Sequence, residues 1–182
     1  MNRRPPHCEP RSVALSLGSN LGDRSALLAS AHEALVDSGA ITDARASDIY
    51  ETEPIGPDQP SYLNQVIVGT CSLRPRDLLE VVRAIEAALG RTREDEVRWG
   101  PRTIDIDILT LGDLVVDEPD LHLPHPELAE RRFVLVPWCE VDPEAVVPES
   151  PRGAGGIVRE LLAALEARGD RAGVVRWTAV RR

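Results

Sequence analysis

Lysine is absent from this chain of 182 residues, so all 21 of its basic residues are arginine. Nucleotide-binding P-loops need a lysine that reaches the phosphates, so this class of phosphate site is excluded. Any phosphate site must use arginine side chains, backbone amides or metal ions, and the planar guanidinium group matches phosphate oxygens well. The net charge of −9 argues against a protein that binds nucleic acid, because a phosphate backbone needs a positive field.

Long apolar runs and cysteine pairs are also missing. No run approaches the ~18 residues of a membrane span. The basic N-terminus is followed only by VALSL (13–17), which is too short for a signal-peptide core. The cysteines Cys8, Cys71 and Cys139 are scattered and lack C-x-x-C spacing. We therefore predict a cytoplasmic protein with reduced thiols and no membrane partner.

Hydrophobic periodicity predicts alternating strands and helices in the first two thirds of the chain. The predicted strands span 12–17, 43–53, 62–73 and 102–112, and the predicted helices span about 23–38 and 74–90. The order β-α-β-β-α-β indicates an α+β fold with a ferredoxin-like core, in which two helices cover one face of an antiparallel sheet. The other face is left for a site or for further elements.

The last third of the chain gives weaker signals. We expect a short hairpin after Gly112, a helical turn at ELAERR (127–132), a strand over Phe133–Pro137, a helix over Ile157–Arg168 and a possible last strand in VVRWTAV (174–180). Residues 1–11 are expected to form a disordered extension, 12–150 the main domain, and 151–182 a C-terminal helix and tail packed on that domain. We expect a monomer.

Two acids interrupt the apolar run RTIDIDILTLG. Side chains alternate along a strand, so Asp105 and Asp107 share one face, about 7 Å apart at their Cα atoms, while Ile104, Ile106 and Ile108 face the helices. Arginines precede them at 91, 93, 98 and 102. These residues alone leave two interpretations open. One is a surface cluster of ion pairs; the other is a site where divalent metals bridge the acids and a polyphosphate, and arginines bind the remaining oxygens.

Four segments together resemble one enzyme family. They are LGSNLGD (17–23); Y-x-T-x-P-x-G (50–56) with Q-P-x-Y-x-N (59–64); RWGPRTIDIDIL (98–109); and LPHP (123–126) with R-x-F-V-L-x-P (131–137). In order and spacing they are similar to the motifs of the 6-hydroxymethyl-7,8-dihydropterin pyrophosphokinase family of folate biosynthesis. The resemblance covers roughly residues 13–148, and the family's fold agrees with the predicted element order.

The resemblance implies a reaction and a set of site residues. The reaction is transfer of pyrophosphate from ATP to the hydroxymethyl group of the reduced pterin, with release of AMP. Asp105 and Asp107 would hold two Mg²⁺ ions and, with Arg91 and Arg102, form the catalytic set. The implied ATP-binding residues are Arg91, Arg93, Arg102, Ile108, His125 and Arg131. The implied pterin-binding residues are Thr52, Ile55, Tyr62, Asn64, Trp99 and Phe133.

Pterin recognition also follows from the chemistry of the residues. A flat bicycle with amide groups binds between aromatic rings and to in-plane hydrogen-bonding groups. The chain has only three Trp, two Tyr and one Phe, so Tyr62 and Phe133 within the motifs stand out, and Asn64 offers both a donor and an acceptor. Glu86, on the second predicted helix, is expected to face its polar side, and a role in the ATP site is the alternative.

Three other kinds of protein are alternatives to a pyrophosphokinase. A binding module without catalysis would be expected to lose one of the acids, Asn64 or an arginine, and all are present. A nucleic-acid-binding domain of this layout would want a basic surface and aromatic residues on its central strands. A metal-dependent phosphohydrolase would use the same acids but has no need of Tyr62, Asn64 and Phe133.

Overall fold

A computed structural model describes residues 8–54, 58–92, 100–170 and 173–178, in which helices cover both faces of an antiparallel sheet. The strands are β1 (Arg11–Ser19), β2 (Thr42–Ala46), β3 (Tyr50–Thr52), β4 (Tyr62–Cys71), β5 (Asp105–Leu111), β6 (Val116–Glu118), β7 (Leu121–Leu123), β8 (Val146–Val147), β9 (Gly156–Ile157) and β10 (Val174–Arg176). The helices are α1 (Arg24–Asp37), α2 (Pro75–Ala88), α3 (Arg132–Val141) and α4 (Val158–Ala167), with a 3-10 turn at Leu128–Glu130. The predicted α+β class is confirmed.

The main sheet has the strand order β10-β3-β4-β1-β5, and β2 also pairs with β4. All of its neighbouring strands run antiparallel. The single strand predicted over 43–53 is divided into β2 and β3. At the division, the Ser47 hydroxyl accepts a hydrogen bond from the amide of Val66 at 3.1 Å, so a side chain replaces part of the regular ladder.

Two hydrophobic clusters lie on opposite faces of the sheet. On one face α1 and α2 pack against β1, β4 and β5 through residues such as Leu28, Leu35 and Val82. On the other face α3 and α4 cover Val66 and Leu109. The second pair of helices covers only part of its face, and the remaining part, beside the acids of β5, is open.

The strand predicted over Phe133–Pro137 is wrong, because this segment lies in helix α3. Its β-branched and aromatic residues favour a strand, and a short apolar run cannot be assigned by periodicity alone. The tertiary structure decides for a helix, since Val134, Leu135 and Trp138 share one stripe and are buried against the sheet.

Both ends of the described chain contact the main domain. Residues 8–11 differ from the disorder expected there: the amide of Cys8 donates to the carbonyl of Ser72 at 2.7 Å, and Arg11 begins β1. At the other end α4 packs through Val158 and Leu165, and β10 pairs with β3. Within the described ranges, no helix combines the length and apolarity needed to cross a membrane.

Candidate active site

Strand β5 places two carboxylates between two cavities. One cavity, of about 280 Å³, is called here the aromatic cavity because Tyr62 and Phe133 line it with Thr52 and Asn64. The second, of about 360 Å³, is called the arginine cavity and is lined by Arg83, Arg91, Ile108 and His125 among others. Both cavities share the residues Arg102, Asp105, Asp107, Glu127 and Arg131, which we call the shared wall.

The alternation of β5 gives the acids their place. Ile104, Ile106 and Ile108 are buried in the cluster under α1 and α2, and therefore Asp105 and Asp107 face the opposite side, as predicted.

Asp105 is held by two arginines. One carboxylate oxygen forms an ion pair with Arg91, and the other accepts a hydrogen bond from Nη1 of Arg102 at 2.7 Å. Burial alone would raise the pKa of Asp105, but the positive charges of Arg102 and Arg91 and their hydrogen bonds outweigh it and lower that pKa. Asp105 is therefore ionised at neutral pH.

Asp107 has a different environment. Its carboxylate accepts a hydrogen bond from Nη1 of Arg131 at 3.0 Å, and Nε2 of His125 lies 3.8 Å away. Burial and the negative charge of Asp105 raise the pKa of Asp107. The two acids are thus unequal, although they stand two residues apart on one strand.

His125 is placed as a neutral donor. Its Nδ1 accepts a hydrogen bond from the amide of Glu127 at 3.2 Å, so in the neutral ring Nε2 holds the proton and points toward Asp107. Burial lowers the pKa of His125 more than the nearby Asp107 charge raises it.

Glu86 holds the side chain of Arg91 in place. Its side chain is only 2% exposed, and its carboxylate pairs with Arg91 and accepts a hydrogen bond from the amide of Ile106 at 2.9 Å. The expectation that Glu86 faces solvent on the polar side of α2 is wrong. A signal was available, since Glu86 lies four and eight residues after the buried Val82 and Leu78, on the same helical stripe.

The aromatic cavity has a polar floor. Nδ2 of Asn64 donates to Oγ1 of Thr52 at 2.7 Å, and both residues are buried. The hydroxyl of Tyr62 donates to the carbonyl of Gly100 at 3.1 Å. A Cβ atom at Gly18 would lie 3.2 Å from Oδ1 of Asn64, so any side chain there would crowd the amide.

Phe133 and Arg131 meet at the start of α3. The guanidinium carbon of Arg131 lies 5.7 Å from the centre of the Phe133 ring, within the range of a cation–π contact. The prediction that both residues belong to the site agrees with their position, although the element that holds them is a helix.

Asn20 is a residue that the sequence analysis did not select. It is buried, and its Oδ1 accepts a hydrogen bond from the amide of Arg102 at 2.7 Å. Its Nδ2 donates to Gln59 at 3.0 Å and to the carbonyl of Pro60 at 3.1 Å. The available signal was its place in the LGSNLGD segment.

Three predicted residues, Ile55, Arg93 and Trp99, lie outside the described residues, and their roles stay predictions. The other predicted site residues line one or both cavities.

The donor chemistry of the shared wall fits magnesium. Within the described ranges, no group of three or more His, Cys, Asp or Glu side chains could hold a metal ion on its own. Magnesium is usually held by one or two carboxylates together with water and substrate phosphates, and Asp105 and Asp107 supply two such ligands.

Comparison with known proteins finds matches in one enzyme family. The model of the family described as 7,8-dihydro-6-hydroxymethylpterin-pyrophosphokinase matches residues 14–143. The chain is 46% identical over 156 residues to a 2-amino-4-hydroxy-6-hydroxymethyldihydropteridine pyrophosphokinase of Methylorubrum extorquens, covering 85% of this chain and 94% of that protein. It is also 46% identical over 128 residues to the protein of the same name from Bacillus subtilis, covering 70% of this chain and 75% of the relative.

Solved structures agree in fold. The wild-type HPPK-DHPS of Plasmodium falciparum with pteroate superposes with a TM-score of 0.65 at 15% identity and covers 91% of this chain. The same wild-type protein with pterin and p-hydroxybenzoate gives a TM-score of 0.65 at 15% identity and covers 88% of this chain. The present chain spans 44% of each of those longer chains.

Proposed function

The chain belongs to the 7,8-dihydro-6-hydroxymethylpterin-pyrophosphokinase family, and we propose that its two cavities hold the two substrates of that reaction. The enzyme transfers pyrophosphate from ATP to the hydroxymethyl group of 6-hydroxymethyl-7,8-dihydropterin and releases AMP, a step of folate biosynthesis. The pterin occupies the aromatic cavity and ATP occupies the arginine cavity.

The shared wall is the observation that supports this assignment. A group transfer needs both substrates at one place, with the attacking oxygen and the phosphorus held in line. Asp105, Asp107 and Arg131 line both cavities. The reacting atoms therefore meet beside the acids. The rest of the pterin lies in the aromatic cavity, and the rest of ATP lies in the arginine cavity.

Asp105 and Asp107 hold two Mg²⁺ ions in this proposal. Magnesium bound by these carboxylates would supply neutralisation of the phosphate charge and alignment of the attacking hydroxyl. The two carboxylates are the hard oxygen ligands on the shared wall that suit it. The guanidinium groups of Arg91, Arg102 and Arg131, which border the two acids, then bind the phosphate oxygens.

The arginines bind the transferred group. Arg91 is anchored by Glu86 and is only 5% exposed at its side chain, so it offers a positive charge at a defined position. Arg102 is held through its backbone by Asn20. Guanidinium groups positioned in advance favour the charge that develops on a phosphoryl group in the transition state. Arg131 and His125 bind the nucleotide at the other end of the wall.

The pterin contacts follow from the aromatic cavity. Phe133 and Tyr62 offer ring faces to the bicycle, and Asn64, oriented by Thr52, offers its amide to the aminopyrimidinone edge. Ile55 and Trp99 complete the pterin site, and Arg93 completes the ATP site.

The strand order β5-β1-β4-β3 with α1 and α2 on one face supports a ferredoxin-like core. The domain bounds 12–150 and 151–182, a cytoplasmic location, and action as a monomer on ATP and pterin complete the proposal.

The test is AMP formation from Mg²⁺-ATP with and without the pterin. We expect the wild type to release AMP only when the pterin is present, and Asp107→Ala to lose at least about 10²-fold in rate, because charge stabilisation at the phosphates is lost. Asp113→Ala, an exposed acid in the turn after β5, is the matched control and should keep full activity.

Two other outcomes would contradict the proposal. AMP or ADP release without pterin would indicate a hydrolase that uses the same acids. Untouched ATP in every reaction would indicate a binding module.

A further inference from the structure

Arg24, the first residue of α1, forms hydrogen bonds to strand β3 and to the residue that directly precedes β4. Its Nη1 donates to a carboxylate oxygen of Glu51 at 2.9 Å, to the carbonyl of Ser61 at 2.8 Å and to the hydroxyl of Ser61 at 2.9 Å. The Ser61 hydroxyl in turn donates to the same Glu51 oxygen at 2.7 Å. We call these three residues the Arg24 clamp.

The clamp closes the two ends of one connection. Glu51 lies near the end of β3 and Ser61 directly precedes β4, so the clamp joins the two sides of the β3–β4 connection. Thr52, the residue after Glu51, and Tyr62, the residue after Ser61, face each other in the antiparallel register. Their separation therefore depends on how firmly the two ends are held together.

The Arg24 clamp lies on the face of the sheet that α1 and α2 cover. Glu51 pairs with Leu63, which is buried in the cluster under α1 and α2. Thr52 and Tyr62 line the aromatic cavity on the opposite face, as the alternation of a strand requires. Arg24 and Ser61 do not line either of the two cavities of the active site.

The three groups form a charged network that is partly shielded from water. The side chains of Arg24 and Glu51 are 26% and 40% exposed. Hydrogen bonds from Ser61 and then Arg24 lower the pKa of Glu51, so the carboxylate is ionised at neutral pH and the hydrogen bonds are charge-assisted.

We propose that Arg24 is a positioning residue for pterin binding, which acts through Glu51 and Ser61 to set the spacing of Thr52 and Tyr62. The inference rests on the proposed function, because it assigns the aromatic cavity to the pterin. It assigns no contact between Arg24 and either substrate. It predicts a defect that is specific to one of the two substrates.

The experiment separates the two substrates in steady-state kinetics and in direct binding. We expect Arg24→Gln to raise the KM for the pterin about 10-fold, because a small displacement of binding groups is costly. The KM for ATP and the kcat at saturating pterin should change less than about twofold. Calorimetry with the pterin and a non-hydrolysable ATP analogue should give the same increase in the pterin Kd.

Two further variants test the route of the effect. Arg74→Gln is the matched control, because Arg74 directly precedes helix α2 and pairs with a nearby acid, Asp77, at 2.7 Å, and it should leave both KM values unchanged. The double variant Arg24→Gln/Glu51→Gln should cost no more than Arg24→Gln alone, because both changes break one network.

An unchanged pterin KM in soluble, folded Arg24→Gln would overturn the inference. If that variant is too unstable to assay, Ser61→Ala removes only the hydroxyl and must raise the pterin KM in its place. A wild type that forms no AMP with pterin would instead contradict the proposed function. An active wild type with an insensitive clamp contradicts only the role of Arg24.

Discussion

The two acids of β5 show how strongly position controls a single residue. Asp105 contacts Arg91 and Arg102, and these charges lower its pKa despite burial. Asp107 is half-buried beside the charge of Asp105, and its pKa is raised. One strand thus presents a carboxylate that is stabilised as an anion and another whose charge costs folding energy.

Replacing the two acids by Asn should change stability in opposite directions at neutral pH. The native pKa of Asp107 is above its unfolded value of about 4, so the native state binds the proton more tightly and stability is lost as the pH rises through the native pKa. Asp107→Asn should therefore gain up to about 1 kcal/mol at pH 7. The gain should shrink as the pH falls below the native pKa toward 4. Urea unfolding at several pH values measures it.

Asp105→Asn is the matched comparison. The native pKa of Asp105 is below its unfolded value, so its stabilising effect is fully present above about pH 4 and is lost as the pH falls through the native pKa. The variant should be less stable than the wild type at pH 7, and the difference should vanish at strongly acidic pH. Shifts of the same sign in both variants would contradict the unequal environments.

Glu86 gives a prediction about buried charge. Glu86→Gln keeps an acceptor for the amide of Ile106 but removes the negative charge beside Arg91. Breaking a buried pair is costly, but Asp105 remains as a second partner, so we expect a loss of roughly 2 kcal/mol in unfolding free energy. Guanidinium unfolding should show it, with Glu80→Gln, an exposed acid on the same helix, as the control. A loss no larger than in Glu80→Gln would show that the Glu86 charge does not stabilise the fold.

At the scale of elements, β3 is the least supported part of the site. It has only three residues, and it is held between β4 and β10. Thr52, which orients Asn64 through its hydroxyl, faces Val174 of β10 on one side and Tyr62 of β4 on the other. The C-terminal strand therefore supports the wall of the aromatic cavity that Thr52 lines, although it is far from the motifs in sequence.

Ending the chain at Asp170 tests this support. Removal of β10 turns β3 into an edge strand and removes Trp177, which packs against the cluster under α1 and α2. We expect a loss of about 2 kcal/mol in stability and a several-fold higher KM for the pterin, while the KM for ATP stays unchanged. Steady-state assays and thermal unfolding measure both effects. An equal increase in both KM values would indicate general damage to the fold.

Helix α3 shows where prediction of elements failed. Residues of one type, apolar and β-branched, suit a strand locally, and only the second hydrophobic cluster makes them a helix. The residues Arg131 and Phe133 nevertheless reach the site, because the start of α3 lies over the open part of the sheet. Their identity as candidates did not depend on the correct element.

At the scale of the whole molecule, an acidic chain clusters arginines around the two acids of β5. The net charge is −9, yet Arg91, Arg102 and Arg131 surround the two acids. Because the chain has no lysine, its permanently charged basic side chains are all guanidinium groups.

This composition predicts an unusual response to chemical modification. Phenylglyoxal, which modifies arginine, should inactivate the enzyme, and Mg²⁺-ATP should protect it by covering the arginines of the shared wall. An amine-directed acylating reagent should leave activity unchanged, since the chain has no lysine amine. Residual AMP formation measures both reactions. Inactivation by the acylating reagent, or no protection by Mg²⁺-ATP, would contradict the arrangement.

The sequence by itself determined the α+β class, the shared face of Asp105 and Asp107, and the arginine chemistry of the proposed phosphate site. These depend on local periodicity and on side-chain chemistry, which adjacent residues set. Only the tertiary structure decided that Phe133–Pro137 is helical and that Glu86 is buried. It also decided which hydrogen bonds Asn20 and the Arg24 clamp form. Each of these depends on contacts between residues far apart in the chain, whose free energy is larger than the local preference that it overrides.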